Sequence, residues 1–482
     1  MIGEPQPSSY RPDPQIAAIA DWIGDPVAAA DFPETRLRFR NRRWDGAVGL
    51  AGLSDEEWLR HFGRFEPLPG NLPQPLALRY HGHQFRNYNP DIGDGRGFLF
   101  AQMRDGQDRL LDLGTKGSGQ TPYSRFGDGR LTLKGAVREI LATEMLEALG
   151  TYTSKTFSVI ETGEALERND EPSPTRSAVM VRLSHGHIRI GSFQRLAAVG
   201  ESAQLAQLVD YALAQYPGPP PPADAPGRDE PAARLLHLVV ERLADLAASY
   251  VASGFVHGVL NTDNMNVSGE SFDYGPWRWL PGWEPGFTAA YFDHSGLYAF
   301  ARQAEAIHWN CAQLAIALRP ICEAPPLVAA LERFPALFTA NVGRRFAWRL
   351  GVTASAEQSA KLVETGEAAL AESQMQPDAF FFAARTGRLP NGDAIAAFCT
   401  ALSDCDLSDC DRAVDSHPYW TDEAPQSMLI EEVEAIWSAI DKDDDWSPLY
   451  AKVDALRRMG EAHGDAPVPA GQDTVSIATG NP

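Results

Sequence analysis

The stretch 254–275, GFVHGVLNTDNMNVSGESFDYG, brings carboxylates and a carboxamide into a short space. Asp263 and Asn264 are adjacent, and Asp273 follows inside an Asp-Tyr-Gly triplet. A carboxylate that reaches a hydroxyl can accept its proton, and Asp263 meets that requirement in residue type. Cationic groups lie upstream. Lys116 closes the run RLLDLGTK, Arg182 interrupts AVMVRL, and Arg189 follows in HIRIGSF. A guanidinium in an apolar strand is costly to bury alone. A triphosphate would partner it bidentately; a structural ion pair is the plainer alternative. Glu139 is a candidate partner for Lys116, against a simple surface ion pair. Asp91 to Gly97, DIGDGRG, places three glycines at alternate positions. That suits a backbone that must approach something closely, although a hairpin turn would look similar.

The elements that must position these groups are legible as patterns. Strands are expected at 97–104 and 109–116, with Asp105-Gly106 as the hairpin turn between them, so that Lys116 ends a strand. A helix is expected from about 131 to 149, with Val137, Ile140, Leu141, Met145, Leu146 and Leu149 as its buried side and Glu139 upon it. Strands follow at 155–163 and 177–184, the second carrying Arg182. Residues 217–231, PGPPPPADAPGRDEP, read as an exposed loop between helices. The helix after it, apolar on two sides, is expected to be buried and to stop at Gly254. From 300 onward helices dominate, with their Met and aromatic residues read as core. RLRFRNRRW, residues 36–44, reads as a solvated or bracing strand rather than a phosphate contact. The tail from about 464 is expected to be disordered.

Composition narrows the function classes. The 482 residues carry a formal net charge of -22, which argues against a nucleic-acid backbone or an anionic membrane as main partner. No run approaches the length of a membrane span, and the opening MIGEPQPSSYRPDPQ lacks the basic start and apolar centre of a signal peptide. Five cysteines, an odd number, fit a reducing cytoplasm better than a disulfide scaffold. His81 and His83 lack a third ligand in view and are read as structural. Cys399, Cys405 and Cys410, with His417 as a fourth group, match no common zinc spacing.

The blocks HGHQF, GDGR, DLGTKGSGQTPYSR, DGR, VREIL, GFVHGVLNTDNM and DYGP, in this order, resemble the selenoprotein O family of kinase-like proteins over roughly residues 75–310. The resemblance implies an α+β, protein-kinase-like two-lobed fold. Residues 1–80 would be an N-terminal extension, 81–190 a β-rich lobe, 191–463 a helical lobe with C-terminal helices, and 464–482 a tail. It implies transfer of AMP from ATP to Ser, Thr or Tyr hydroxyls of proteins, with ATP reversed relative to kinases. Asp263 would be the general base, and Asn264 and Asp273 would hold Mg²⁺, with Mn²⁺ as an alternative. Lys116, Arg182 and Arg189 would grip the phosphates, Glu139 would position Lys116, and Gly93, Gly95, Arg96, Asp128 and Gly129 would complete the nucleotide pocket. A monomer acting on protein substrates, redox proteins among them, is expected. The place where kinases put their catalytic Asp, two after His257, is Val259, so either the loop is silent or Asp263 has taken that role. The chain departs from the family between HQF and GDGR. It also lacks an Asn-Pro…Leu-Arg-Asn block, where PQSMLIEEVEAIWSAI stands instead, and a terminal Cys pair, for which DTVSIATGNP offers no counterpart. A kinase-like phosphotransferase and a silent nucleotide-binding scaffold remain as competing functions.

Overall fold

A computed structural model describes residues 8–169, 171–407 and 416–467; Cys410 and the tail from 468 lie outside them. The fold mixes α and β, with one antiparallel sheet against a large helical assembly. The sheet strands are β1 (Gly24–Pro26), β2 (Arg36–Arg40), β3 (Leu76–Leu78), β6 (Leu99–Arg104), β7 (Leu110–Lys116), β8 (Leu131–Thr132), β9 (Lys155–Leu166) and β10 (Thr175–Ser184). A separate hairpin is built from β4 (Gly82–Gln84) and β5 (Asn87–Asn89). The sheet order is β1-β3-β6-β7-β10-β9-β2, and β8 also pairs with β10. Three of these strands come from the first eighty residues, the segment read from sequence as an extension.

Both faces of the sheet are covered, which explains the nearly continuous apolar run in β10. Side chains alternate across a strand. Val179, Val181 and Leu183 enter one cluster with Trp58, Phe62 and Phe157. Ala178 and Met180 enter the helical core with Leu133, Val137 and Ile140. The same period puts Arg182 on the helical side. In β7, Leu111 and Leu113 belong to the outer cluster, so Lys116 also falls on the inner face. The β7–β10 register sets Lys116 opposite Met180 and Gly114 opposite Arg182. Two cations are thereby delivered side by side to the face that meets the helices.

The helix Leu133–Ala148 begins with the Thr132 side chain accepting from Gly135 N, a cap that satisfies one free amide. Its expected apolar side is buried, but so are Glu139, Glu144 and Glu147. The outer face is covered by helices Ile430–Asp443 and Ser447–His463. Arg457 binds Glu144 through Nε at 2.9 Å and Nη2 at 2.7 Å, and Arg43 pairs with Glu147. The apolar helix Pro231–Ser253 ends at Gly254, whose φ of 62° is the left-handed C-cap that glycine adopts without strain. The apolar run after 323 forms two helices, Ala324–Glu332 and Phe334–Leu350. Pro335 supplies no amide to continue the first and suits the opening turn of the second.

Candidate active site

The stretch 254–275 is closed at its base by a short ladder pairing Phe255 with Trp279 and Val256 with Arg278. Between these strands a short 3-10 turn, Thr262–Asn264, presents the acidic pair. Two backbone bonds dock it onto the segment that carries Arg189, from Ile190 N to Met265 O at 2.9 Å and from Val267 N to Ile188 O at 3.0 Å. On the other side, Ser271 N donates to Tyr152 O and Ser154 N to Ser271 O, both at 2.9 Å. His257 Nε2 lies 3.1 Å from Phe272 O; burial lowers its pKa, keeping the ring neutral. Asp273 has a φ of 63°, a strained value for a residue with a Cβ, of the kind held at functional sites by surrounding structure.

Lys116, Glu139, Arg182 and Asp273 meet in one cluster. Lys116 Nζ donates to Glu139 Oε1, lies 3.1 Å from Asp273 Oδ1, and Arg182 Nη2 is 3.3 Å from the same oxygen. Burial favours the neutral form of Asp273, but Lys116, Arg182, Arg189 and Arg96 outweigh it and hold the carboxyl well below its ordinary range. Arg189 Nη2 binds Asp94 Oδ1 at 3.0 Å, and its guanidinium sits over Tyr80 and Phe272, 4.3 and 5.1 Å from the ring centroids. Arg182 Nη1 and Arg189 Nε are buried without a hydrogen-bond partner. Cationic donors left open next to a filled carboxylate fit an anionic, multi-oxygen ligand.

Asp263 occupies a different setting. Its Oδ1 is buried without a hydrogen-bond partner, and Oδ2 accepts from Gln84 Nε2 at a long 3.4 Å. Burial pushes its pKa up to about 6, with Arg189 pulling the other way. A carboxylate tuned toward neutrality is suited to take a proton near physiological pH. Asn264 Nδ2 donates to Val259 O at 2.9 Å, which leaves the amide oxygen to act as a ligand. Among the described residues no group of three or more His, Cys, Asp or Glu could hold a metal. Asn264 and Asp273 together offer two protein oxygens, the number from which Mg²⁺ is commonly held when phosphates and water complete its shell.

The glycine-rich segment is a turn clamped by the loop 117–130. A Cβ at Gly93 would lie 2.5 Å from the Tyr123 ring and one at Gly95 3.0 Å from Tyr123 O. Ser124 Oγ donates to Gly95 O, and Thr121 Oγ1 to Asp94 O. Gly129 has a φ of 71°, and a Cβ there would collide with Gly119 C at 2.2 Å, so only glycine fits. Arg96 and Lys116 line a cavity of about 320 Å³ with Arg130, Arg138 and Arg168. Asp128 is exposed and pairs with Arg168 at 2.8 Å, and its Oδ1 accepts from Arg130 N at 2.9 Å; both arginines line that cavity with Lys116.

Sequence reading missed Asp94, Gln84 and Arg138 as site residues. The first two sat inside the quoted blocks GDGR and HGHQF. Arg138 donates to Trp277 O at 3.1 Å from a helix position that carries no distinguishing signal. His81 Nδ1 is bonded to the Tyr88 hydroxyl at 2.6 Å, and His83 Nδ1 accepts from Gln194 Nε2 at 2.8 Å; both are structural contacts. Cys399 and Cys405 are free thiols.

A family model described as protein adenylyltransferase SelO matches residues 9–394. A protein nucleotidyltransferase YdiU from Synechocystis sp. is 40% identical over 476 residues, covering 92% of this chain and 97% of the relative. Proteins of the same name from Synechococcus elongatus and Gloeobacter violaceus are 41% and 42% identical, covering 95% and 92% of this chain and 96% and 95% of their own lengths. Both the family model and these relatives run through the acidic pair, the buried lysine and the clamped glycines, and the chain accordingly belongs to the SelO family and is a nucleotidyltransferase.

Proposed function

We propose that the chain has a protein-kinase-like, two-lobed fold and transfers AMP from ATP to Ser, Thr or Tyr hydroxyls of proteins, releasing pyrophosphate. The sheet with helix Leu133–Ala148 would form one lobe, and the helices around Pro231–Ser253 the other. Lys116, Arg182 and Arg189 would grip the distal phosphates, with Glu139 keeping the lysine in place. Asn264 and Asp273 would hold Mg²⁺, which offsets phosphate charge when bound. Asp263 would accept the hydroxyl proton as the acceptor oxygen bonds to the α-phosphorus. The α–β phosphoanhydride bond breaks, and its electron pair leaves on pyrophosphate.

The observation that carries this reading is the division between two carboxylates. Asp273 is saturated with cations and held ionised, whereas Asp263 keeps a buried, unpartnered oxygen and a pKa of about 6. Environments that drive two carboxyls apart assign them different tasks. With Val259 in the place of the kinase aspartate, Asp263 is the acid best suited to the proton.

ATP labelled with ³²P at the α or the γ position tests the reading in paired reactions with Mg²⁺ and a protein mixture. Label on protein from the α form alone is the expected result. Label from γ alone would make the chain a phosphotransferase, and ATP binding with neither label would make it a silent scaffold.

A further inference from the structure

The β4–β5 hairpin forms a wall directly on the proposed base. His83 N donates to Thr262 Oγ1 at 2.7 Å, Phe85 N to Asn261 Oδ1 at 3.1 Å, and Gln84 Nε2 to Asp263. A Cβ added at Gly82 would stand 3.0 Å from Asp263 Oδ1. The hairpin is therefore fixed to the catalytic stretch rather than merely near it. From its tip, rings continue outward. Phe85 lies 5.7 Å from Phe292, and Phe292 lies 5.1 Å from Tyr291. On the hairpin's other side, Tyr88 lies 5.1 Å from His83. Eight large hydrophobic side chains are exposed among the described residues, and three of them, Tyr88 (41%), Phe292 (42%) and Tyr291 (81%), belong to this ledge. Exposed apolar groups scattered singly need no explanation, whereas a cluster beside a site marks a surface that meets something. Arg86, at the hairpin turn, is neutralised by Glu305 at 2.9 Å and lies over Trp309, so the ledge offers apolar surface more than charge.

We propose that this ledge docks an extended segment of the protein acceptor and selects an apolar side chain close in sequence to the hydroxyl that is modified. The proposal rests on the adenylyl-transfer reading and names the specificity surface of that same site. The aromatic row starts one residue beyond Gln84, the side chain that touches Asp263, and so continues the catalytic wall. The selected side chain therefore lies close in sequence to the hydroxyl. Large, rigid rings are the side chains that most often anchor a partner at such surfaces.

A position-scanning library of soluble peptides tests this. Each peptide holds one Ser, Thr or Tyr and one varied flanking position, and is incubated with α-³²P-ATP and the full-length chain. The wild type should label peptides with an aromatic or aliphatic residue at one fixed offset about tenfold above the other pools. Tyr291→Ser with Phe292→Ser should flatten that preference while KM for ATP stays unchanged. Both residues are exposed, so unchanged ATP kinetics also report an intact fold. Labelling with no positional preference, or a preference that survives the double variant, overturns the ledge and leaves adenylyl transfer standing. Failure to label any peptide while proteins take α-label overturns it equally. Absence of α-label from peptides and proteins alike instead removes the adenylyl-transfer reading, and the ledge proposal with it.

Discussion

Replacing Gln84 with methionine should move the acid limb of the pH–rate profile upward while leaving the plateau in place. Among the described residues, Gln84 is the one whose side chain hydrogen-bonds Asp263, at 3.4 Å, and this bond favours the ionised carboxylate. Methionine keeps the length of the side chain and removes the donor. A hydrogen bond to a charged group contributes about 1.5–3 kcal/mol at good geometry. The long separation places this one well below that range, at ~0.7 kcal/mol, or about 0.5 pH unit. For a base the sign is fixed: the protonated form is inactive, so activity rises with pH through the pKa. The wild-type limb should have its midpoint near the value of about 6 set by burial, and the variant near ~6.5. At pH 6 the variant would keep about half of the wild-type rate, and by pH 8 the two would converge. Initial rates of α-label incorporation at constant ionic strength, from pH 5 to 8.5, supply the assay. An unmoved limb, or a loss equal at every pH, would refute the assignment of that limb to Asp263.

Glu139→Gln should free Lys116 to settle on Asp273, already 3.1 Å away, and lower kcat by about 10²-fold; steady-state rates at saturating ATP measure it, and a change confined to KM would count against the pairing role. Asp273→Ala should abolish transfer at any Mg²⁺ concentration, because the metal loses its carboxylate; activity restored by raised Mg²⁺ or retained outright would refute that role. Arg457→Ala should strip the guanidinium from Glu144, whose side chain is 2% exposed, and lower unfolding free energy by about 3 kcal/mol. Urea denaturation measures this, and a loss under ~0.5 kcal/mol would show that the pair contributes nothing net.

Much of the site was legible because its chemistry follows local rules. Lys116 at a strand end and Glu139 on the next helix could be placed from strand and helix periods, and the two do meet. Arg182 was conspicuous as a charge in an apolar strand, and burial on both sheet faces is the reason it needed partners. What stayed hidden depends on distant pairing. Nothing in residues 24–40 signals that β1 and β2 take opposite ends of the sheet, because edge pairing is decided by partners far along the chain. The all-round burial of helix Leu133–Ala148 was equally unreadable. Its outward Glu144 and Glu147 resemble a solvated face until Arg457 and Arg43, more than a hundred residues away on either side, arrive to cover them. Asp128, in a conspicuous DGR block, reaches the cavity lined by Lys116 through Arg168 and Arg130, a pairing that no local pattern signals.

In the proposed reaction a cationic pocket holds the outer phosphates while Asp263 addresses a hydroxyl at the inner phosphorus. Product stoichiometry tests it most directly, by intact mass of the acceptor together with quantified pyrophosphate and ADP, in wild type and Asp263→Asn. One adenylate gained per pyrophosphate released is the expected result, with both lost in the variant. Phosphate gained with ADP formed, or undiminished adenylate transfer by Asp263→Asn, would contradict it.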